Sequence, residues 1–169
     1  MNVLVVDGYN IIGDWEDLRR LKQTSIGQAR DMLIEKLAEY QAYTGMRVIV
    51  VFDAYYVKGI ESKLKEYQVE IIYTKENETA DECIERIVTD LKNVINQVYV
   101  ATSDYAEQRT IFGRGALRKS ARELQIELDD INREIGQQIE KHHKVQPQIK
   151  IPLTQDVLEK FEKWRRGDI

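Results

Sequence analysis

Asp7-Gly8-Tyr9-Asn10, Asp53, Asp81 and Thr102-Ser103-Asp104 are the residues of this chain best equipped for chemistry. Asp7 closes the apolar run Asn2 to Val6, and Asp53 closes Arg47 to Phe52. Asp104 follows Gln97 to Ala101, and Asp81 opens the helical pattern after Val69 to Tyr73. A continuous apolar run that breaks into Asp, Gly and Asn reads as a buried parallel strand entering a loop. In open α/β sheets, ligands bind at the carboxyl ends of the strands, so these acids are placed to share one crevice. Crowded carboxylates repel, and one holds its proton unless a cation intervenes. With no histidine or thiol partner nearby, the all-oxygen donor set suits Mg²⁺ or Mn²⁺. Such an ion can orient a water and neutralise charge on a phosphodiester during in-line attack.

Each acid also has a structural reading. Asp81 in a first helical turn complements the macrodipole. Asp104 is placed to cap the helix running through Ala106 and Glu107. Asp7 and Asp53 fit Asx turns. Singly these readings suffice; their convergence at one sheet edge is what favours a metal site. Asn10 adds a neutral amide for a water, a phosphate oxygen or a carboxylate, and Tyr9 either stacks on a base or packs into the loop. Asp53 is the outermost candidate, because its strand lies away from the centre of the crevice.

The elements that must position these residues follow from periodicity. Strands are expected over 2–7, 46–53, 68–73 and 97–101, alternating with helices, the order of right-handed βαβ units. Ser25-Ile26-Gly27-Gln28 and Thr79-Ala80-Asp81-Glu82 have the form of capping boxes. The first starts a helix with Ala29, Leu33, Leu37 and Tyr40 on one face; the second starts one with Ile84, Ile87, Val88, Leu91 and Ile95. Leu117, Ala121, Leu124, Leu128, Ile131, Ile135 and Ile139 predict a third long helix packed on the core rather than a coiled-coil seam. It fades into His142-His143-Lys144, at a polar helix end that suits solvated histidines rather than metal ligands. After Pro147 and Pro152, Thr154 is expected to cap a last helix that buries Val157, Leu158, Phe161 and Trp164. The whole reads as one domain with its core in 1–140, onto which the connection and helix 144–169 pack.

At 169 residues, 43% hydrophobic and 32% charged, the composition is that of a globular domain with a genuine core. No apolar run reaches the roughly 20 residues of a membrane span. Met1-Asn2-Val3 enters a strand without the features of a secretion signal, and Cys83 is the single cysteine, expected in the core. These features predict a cytoplasmic monomer. A net charge of −4 does not favour nucleic acid, yet Arg109, Arg114, Arg118, Lys119 and Arg122 cluster, as do Lys160, Lys163, Arg165 and Arg166. An acidic site with separate basic patches is compatible with RNA. Other phosphate chemistry fits less well. A phospho-acceptor at Asp53 would need an acidic pair after the first strand and a lysine after the last. A phosphatase with two acids after strand one meets Tyr9 at the second position. Acyl-enzyme chemistry has no nucleophile elbow and no histidine outside the tail.

The segments Val6 to Asn10, Arg47 to Ala54, Thr74 to Asp81, Ala101 to Tyr105, Gly115 to Leu124 and Phe161 to Asp168 together resemble the bacterial YacP-like proteins. These are a group within the NYN branch of the PIN-like nucleases. The resemblance runs nearly end to end. It implies a PIN-like three-layer α/β/α fold with a central, mainly parallel sheet, and a metal-dependent endoribonuclease. It places the family's acidic, metal-holding site on Asp7, Asp81 and Asp104, with Asn10 beside them and Asp53 an outer member. One member of this group is a ribosome-associated enzyme that cuts messenger RNA in the A site. By that resemblance Arg109, Arg114, Arg118, Lys119 and Arg122 become candidates for ribosomal or messenger RNA contacts. The competing reading is a non-catalytic RNA- or ribosome-binding module on the same fold.

Overall fold

A computed structural model describes residues 1–54, 68–92, 96–145 and 155–167. Five strands form one sheet: β1 (Asn2–Asp7), β2 (Arg47–Phe52), β3 (Glu70–Tyr73), β4 (Gln97–Ala101) and β5 (Leu117–Lys119). Their order is β3-β2-β1-β4-β5, and every pairing is parallel. The central strand explains itself. Val3, Leu4, Val5 and Val6 are all fully buried, as a strand covered on both faces requires.

Alternate residues of the strands serve two cores. Leu4, Val6, Val48, Val50 and Phe52 face α1 (Gly8–Asp14), α2 (Glu16–Thr24), α3 (Ile26–Thr44) and the start of α6 (Ala121–Val145). Val3, Val5, Ile49, Val51, Val98 and Val100 face α4 (Ala80–Leu91) and α5 (Tyr105–Gly113). The result is the three-layer α/β/α arrangement the sequence predicts. The expected stripes hold: Ala29, Leu33, Leu37 and Tyr40 are buried along α3, and Cys83, Ile84, Ile87 and Val88 along α4. Ile95 lies outside the described residues.

Three features depart from the sequence reading. Residues 8–24 form two short helices that meet at Trp15, whose buried indole Nε1 donates to the Ala121 carbonyl at 2.8 Å. The third long helix does not begin at Leu117. Gly115, at φ +87°, turns the chain out of α5, and Leu117 to Lys119 pair with Tyr99 to Ala101 as a fifth strand. Ser120 Oγ then accepts from the Glu123 amide at 3.0 Å, and the helix starts behind that cap. Within it Leu124, Leu128 and Ile131 are buried, whereas Ile135 and Ile139 are exposed.

The chain divides into two compact units, Met1–Ile131 and Asn132–Ile169. The second holds the rest of α6 and α7 (Gln155–Arg166). Trp164, expected in a buried stripe, is 70% exposed. It sits in the last turn among Lys163, Arg165 and Arg166, a solvated helix end. Pro147, Pro152 and Thr154, and the side chains of His142, His143, Val157, Leu158 and Phe161, lie outside the described residues. Among the described residues no helix is long and apolar enough to cross a membrane.

Candidate active site

The strand order turns around at β1, with β2 and β3 on one side and β4 and β5 on the other. A crevice therefore opens at the carboxyl ends of β1 and β4. Asp7 stands at its floor, pairing in register with Val51 and 7% exposed. Gly8 makes the sharp exit from β1 possible. A Cβ built there would lie 2.3 Å from the Phe52 ring, so a side chain at this position collides with the core.

Hydrogen bonds tie the exits of β1 and β4 together. Asn10 Oδ1 accepts from the Ser103 backbone amide at 2.6 Å and from Ser103 Oγ at 2.7 Å. Asp104 Oδ1 accepts from the amides of Ala106 and Glu107 at 2.9 and 3.3 Å, the N-cap geometry. That cap starts α5 in a phase that turns Glu107 inward. Its Oε2 accepts from Thr102 Oγ at 2.7 Å, and Gln108 Nε2 donates to the Thr102 carbonyl at 2.7 Å. On the neighbouring helix, Thr79 and Glu82 form the reciprocal capping box, setting Asp81 in the first turn of α4.

Carboxylate oxygens of Asp7, Asp81 and Glu107 come within 4.8 Å of one another. Asp7 and Glu107 are buried; Asp81 is exposed. Burial pushes Glu107 up to about 9, with the Asp7 charge adding to it. Burial likewise raises Asp7 to about 6, helped by the charges of Asp81 and Asp104 and opposed by its bond to Glu107. Asp81 is raised too, by burial first and the Asp104 charge second. Glu107 Oε1 is buried and has no donor among the described residues while both carboxyls are ionised. Both shifts favour a proton held on this buried pair at neutral pH. A divalent cation would replace that proton. The donor set is all oxygen, anionic and crowded, and it includes one buried oxygen in want of a partner, so these residues fit a hard metal ion.

Of the residues proposed from sequence, Asp7 and Asp81 are brought together. Asp104 lies close enough for its charge to raise both, while its own Oδ1 serves the helix cap. Asn10 and Asp53 line, with Asp7 and Asp81, an open cleft of about 380 Å³. The third carboxylate of the cluster is Glu107, which the sequence reading treats only as part of a helix. Its signal was its phase: Glu107 and Ile111 are four apart on the buried side of α5.

The basic run between 109 and 122 is spread over three elements. Arg109 is exposed on α5 and Arg122 on α6. Arg114 pairs with Glu85 at 2.5 Å, and Arg118 donates to Gln108 Oε1 at 3.0 Å. Lys119 is largely buried: its Nζ binds Glu127 at 2.6 Å and lies 5.3 Å from the centre of the Tyr99 ring.

Comparison with known proteins agrees with this architecture. The YacP-like NYN domain model matches residues 4–166. The chain belongs to the YacP-like NYN domain family. It is 57% identical to the uncharacterised protein YacP of Bacillus subtilis (strain 168), over 100% of this chain and 99% of that one. The crystal structure of Rae1 (YacP) from Bacillus subtilis superposes with a TM-score of 0.78 at 58% identity, covering 99% of this chain and 97% of that one. A W164L mutant of Rae1 gives 0.75 at 53% identity, with the same coverage. The NYN domain family is generally nuclease-like, and the acidic cluster of Asp7, Asp81 and Glu107 could bind a metal ion.

Proposed function

We propose that this chain is a metal-dependent endoribonuclease that cuts messenger RNA in the A site of translating ribosomes, using Mg²⁺ or Mn²⁺. The observation that carries the nuclease reading is the meeting of Asp7, Asp81 and Glu107 within 4.8 Å at the turning point of a parallel sheet. Three carboxyls, two of them buried, cost stability in a protein that has no use for them. The ribosomal setting rests on the family resemblance carried by the sequence.

Asp7, Asp81 and Glu107 would hold the ion, and Asp104 would add charge from just outside. When bound, the ion supplies an oriented, acidified water and a counter-charge for the phosphodiester. The protein's own groups prepare that event. Asn10 spends its Oδ1 on Ser103, leaving its amide N–H groups to donate to a phosphate oxygen or water. The Thr102 hydroxyl fixes Glu107 in place through Oε2 and leaves Oε1 to the cluster. Exposed Arg109, Arg118 and Arg122 are suited to ribosomal docking. Arg114 and Lys119 contribute less, since Glu85 and Glu127 already neutralise them.

The test is a cleavage assay comparing free transcript with stalled translating ribosomes, each with wild type and Asp7→Asn, in Mg²⁺ or Mn²⁺ and in excess chelator. Metal-dependent cuts on ribosomes alone, absent in the variant, are expected. Cuts on free RNA alone would keep the nuclease and discard the ribosome. Ribosome binding with no cuts anywhere would replace the enzyme with a binding module.

A further inference from the structure

The cleft that leads to the acids has a second wall of opposite character. Lys22, at the end of α2, lines it together with Tyr9. Behind Tyr9 stands Arg30 of α3, whose Nη1 donates to the Tyr9 hydroxyl at 3.0 Å. Tyr9 is itself braced, its ring 5.1 Å from that of Phe52. Among the described residues neither Lys22 nor Arg30 has a carboxylate within ion-pair distance. That is unusual for a half-buried guanidinium, which loses hydration and ordinarily finds an anion. A phenol hydroxyl fixes one N–H of Arg30 but leaves its full charge and its other donors unspent.

We propose that Lys22 and Arg30, positioned by Tyr9, form a phosphate-binding wall for single-stranded RNA, gripping phosphodiesters that flank the one presented to Asp7, Asp81 and Glu107. The inference rests on the nuclease reading and adds the path of the strand. An acidic cleft repels a polyanion everywhere except at a bound cation, so the strand needs positive charge close by. The basic run of 109–122 does not line this cleft; Lys22 does. The strand therefore runs along the α2–α3 side of the site, past Tyr9, which lines the cleft with Lys22 and is held by Arg30.

The experiment is fluorescence anisotropy of a labelled single-stranded RNA oligonucleotide, in an Asp7→Asn background so that the probe stays whole. Lys22→Ala, Arg30→Gln and the double variant are compared with Arg47→Ala, a control at the amino end of β2, the end of the sheet opposite the cleft. Each phosphate contact on a single strand is worth about fivefold in affinity at 0.1 M salt and about 0.7 in the log–log salt slope. The double variant should thus bind at least tenfold more weakly, with a slope smaller by about 1.4, while the control is unchanged. Tyr9→Phe frees Arg30 without removing charge and should weaken binding by less than Arg30→Gln. Lys22 is exposed, so its substitution tests the wall even where Arg30 variants unfold. Affinity and slope within error of the parent in the double variant overturn the wall while leaving the nuclease intact. Weakened binding by the variants of a protein that never cuts RNA would keep the wall and overturn the nuclease. A parent that binds no free RNA overturns the wall and leaves the nuclease, whose cuts are expected on ribosomes alone, to the cleavage assay.

Discussion

Replacing Glu107 with Gln should make the metal-free protein more stable and abolish its use of metal, and both effects follow from one carboxyl. Burial lifts Glu107 from 4.5 to about 9. At pH 7 the unfolded chain has released that proton and the folded chain retains it, so folding takes up a proton. Stability must then fall as pH rises from 4.5 towards 9, by about 1.4 kcal/mol per pH unit, reaching ~3 kcal/mol at pH 7. Below pH 4.5 the penalty vanishes. Asp7, raised to about 6, completes its own loss by that pH, so the slope between pH 6.5 and 8.5 belongs to Glu107. Glutamine keeps the shape, still accepts from Thr102 Oγ, and can donate to Asp7 without any proton to hold. Urea unfolding in chelator between pH 5 and 8.5 reads the difference. Wild type should lose stability steadily above pH 6.5; Glu107→Gln should run nearly flat and lie ~2–3 kcal/mol above it at pH 7. Added Mn²⁺ or Mg²⁺ at a hundredfold over its Kd should return about 2.7 kcal/mol to wild type and much less to the variant. Parallel pH curves for the two proteins in chelator would refute the reasoning, because Glu107 would then be ionised in the folded state.

Asp7→Asn should remove cleavage, by about 10³-fold or more if the acid holds the ion, while RNA affinity stays within a few-fold; lost binding with residual cutting would contradict its placement. Gly8→Ala drives a methyl to 2.3 Å from the Phe52 ring and should cost ~1–3 kcal/mol in urea unfolding. Pairing it with Phe52→Leu should recover part of that cost, so strict additivity of the two would show that the clash is not the cause. Arg118→Glu, exposed on β5 and bonded to Gln108, should reduce co-sedimentation with ribosomes and leave binding of a short oligonucleotide unchanged; unaltered co-sedimentation would take β5 out of the docking surface.

What the sequence showed of this fold, and what it hid, divides along one physical line. Buried parallel strands advertise themselves as unbroken apolar runs, which is why β1, β2 and β4 and the acids at their ends were legible from residue types alone. Asp7 and Asp81 needed only the topology rule to be placed together. β5 lacked that signal: Leu117-Arg118-Lys119 is short, on the sheet's edge, and its one apolar side chain is 41% exposed. Leu117 also fell in step with Ala121 and Leu124, so the period of α6 absorbed it. Glu107 and Lys119 stayed hidden for a related reason. Both are charged residue types that composition assigns to the surface, and each also meets a partner remote in the chain, Asp7 for Glu107 and Tyr40 for Lys119. Lys119 meets Tyr40 Oη at 3.4 Å across 79 residues, and Tyr40 in turn donates to Glu127 at 2.7 Å across 87. No local window contains those pairs. The same effect redistributes the chain's basic charge. Two of the five cations that look like a patch in sequence are consumed by Glu85 and Glu127, whereas Lys22 and Arg30, which the sequence reading passed over, stand unneutralised beside the cleft. For an acidic site that must bring in a polyanion, the cations that count are those left unpaired after folding, and the density of Lys and Arg along the chain is a poor guide to where they are.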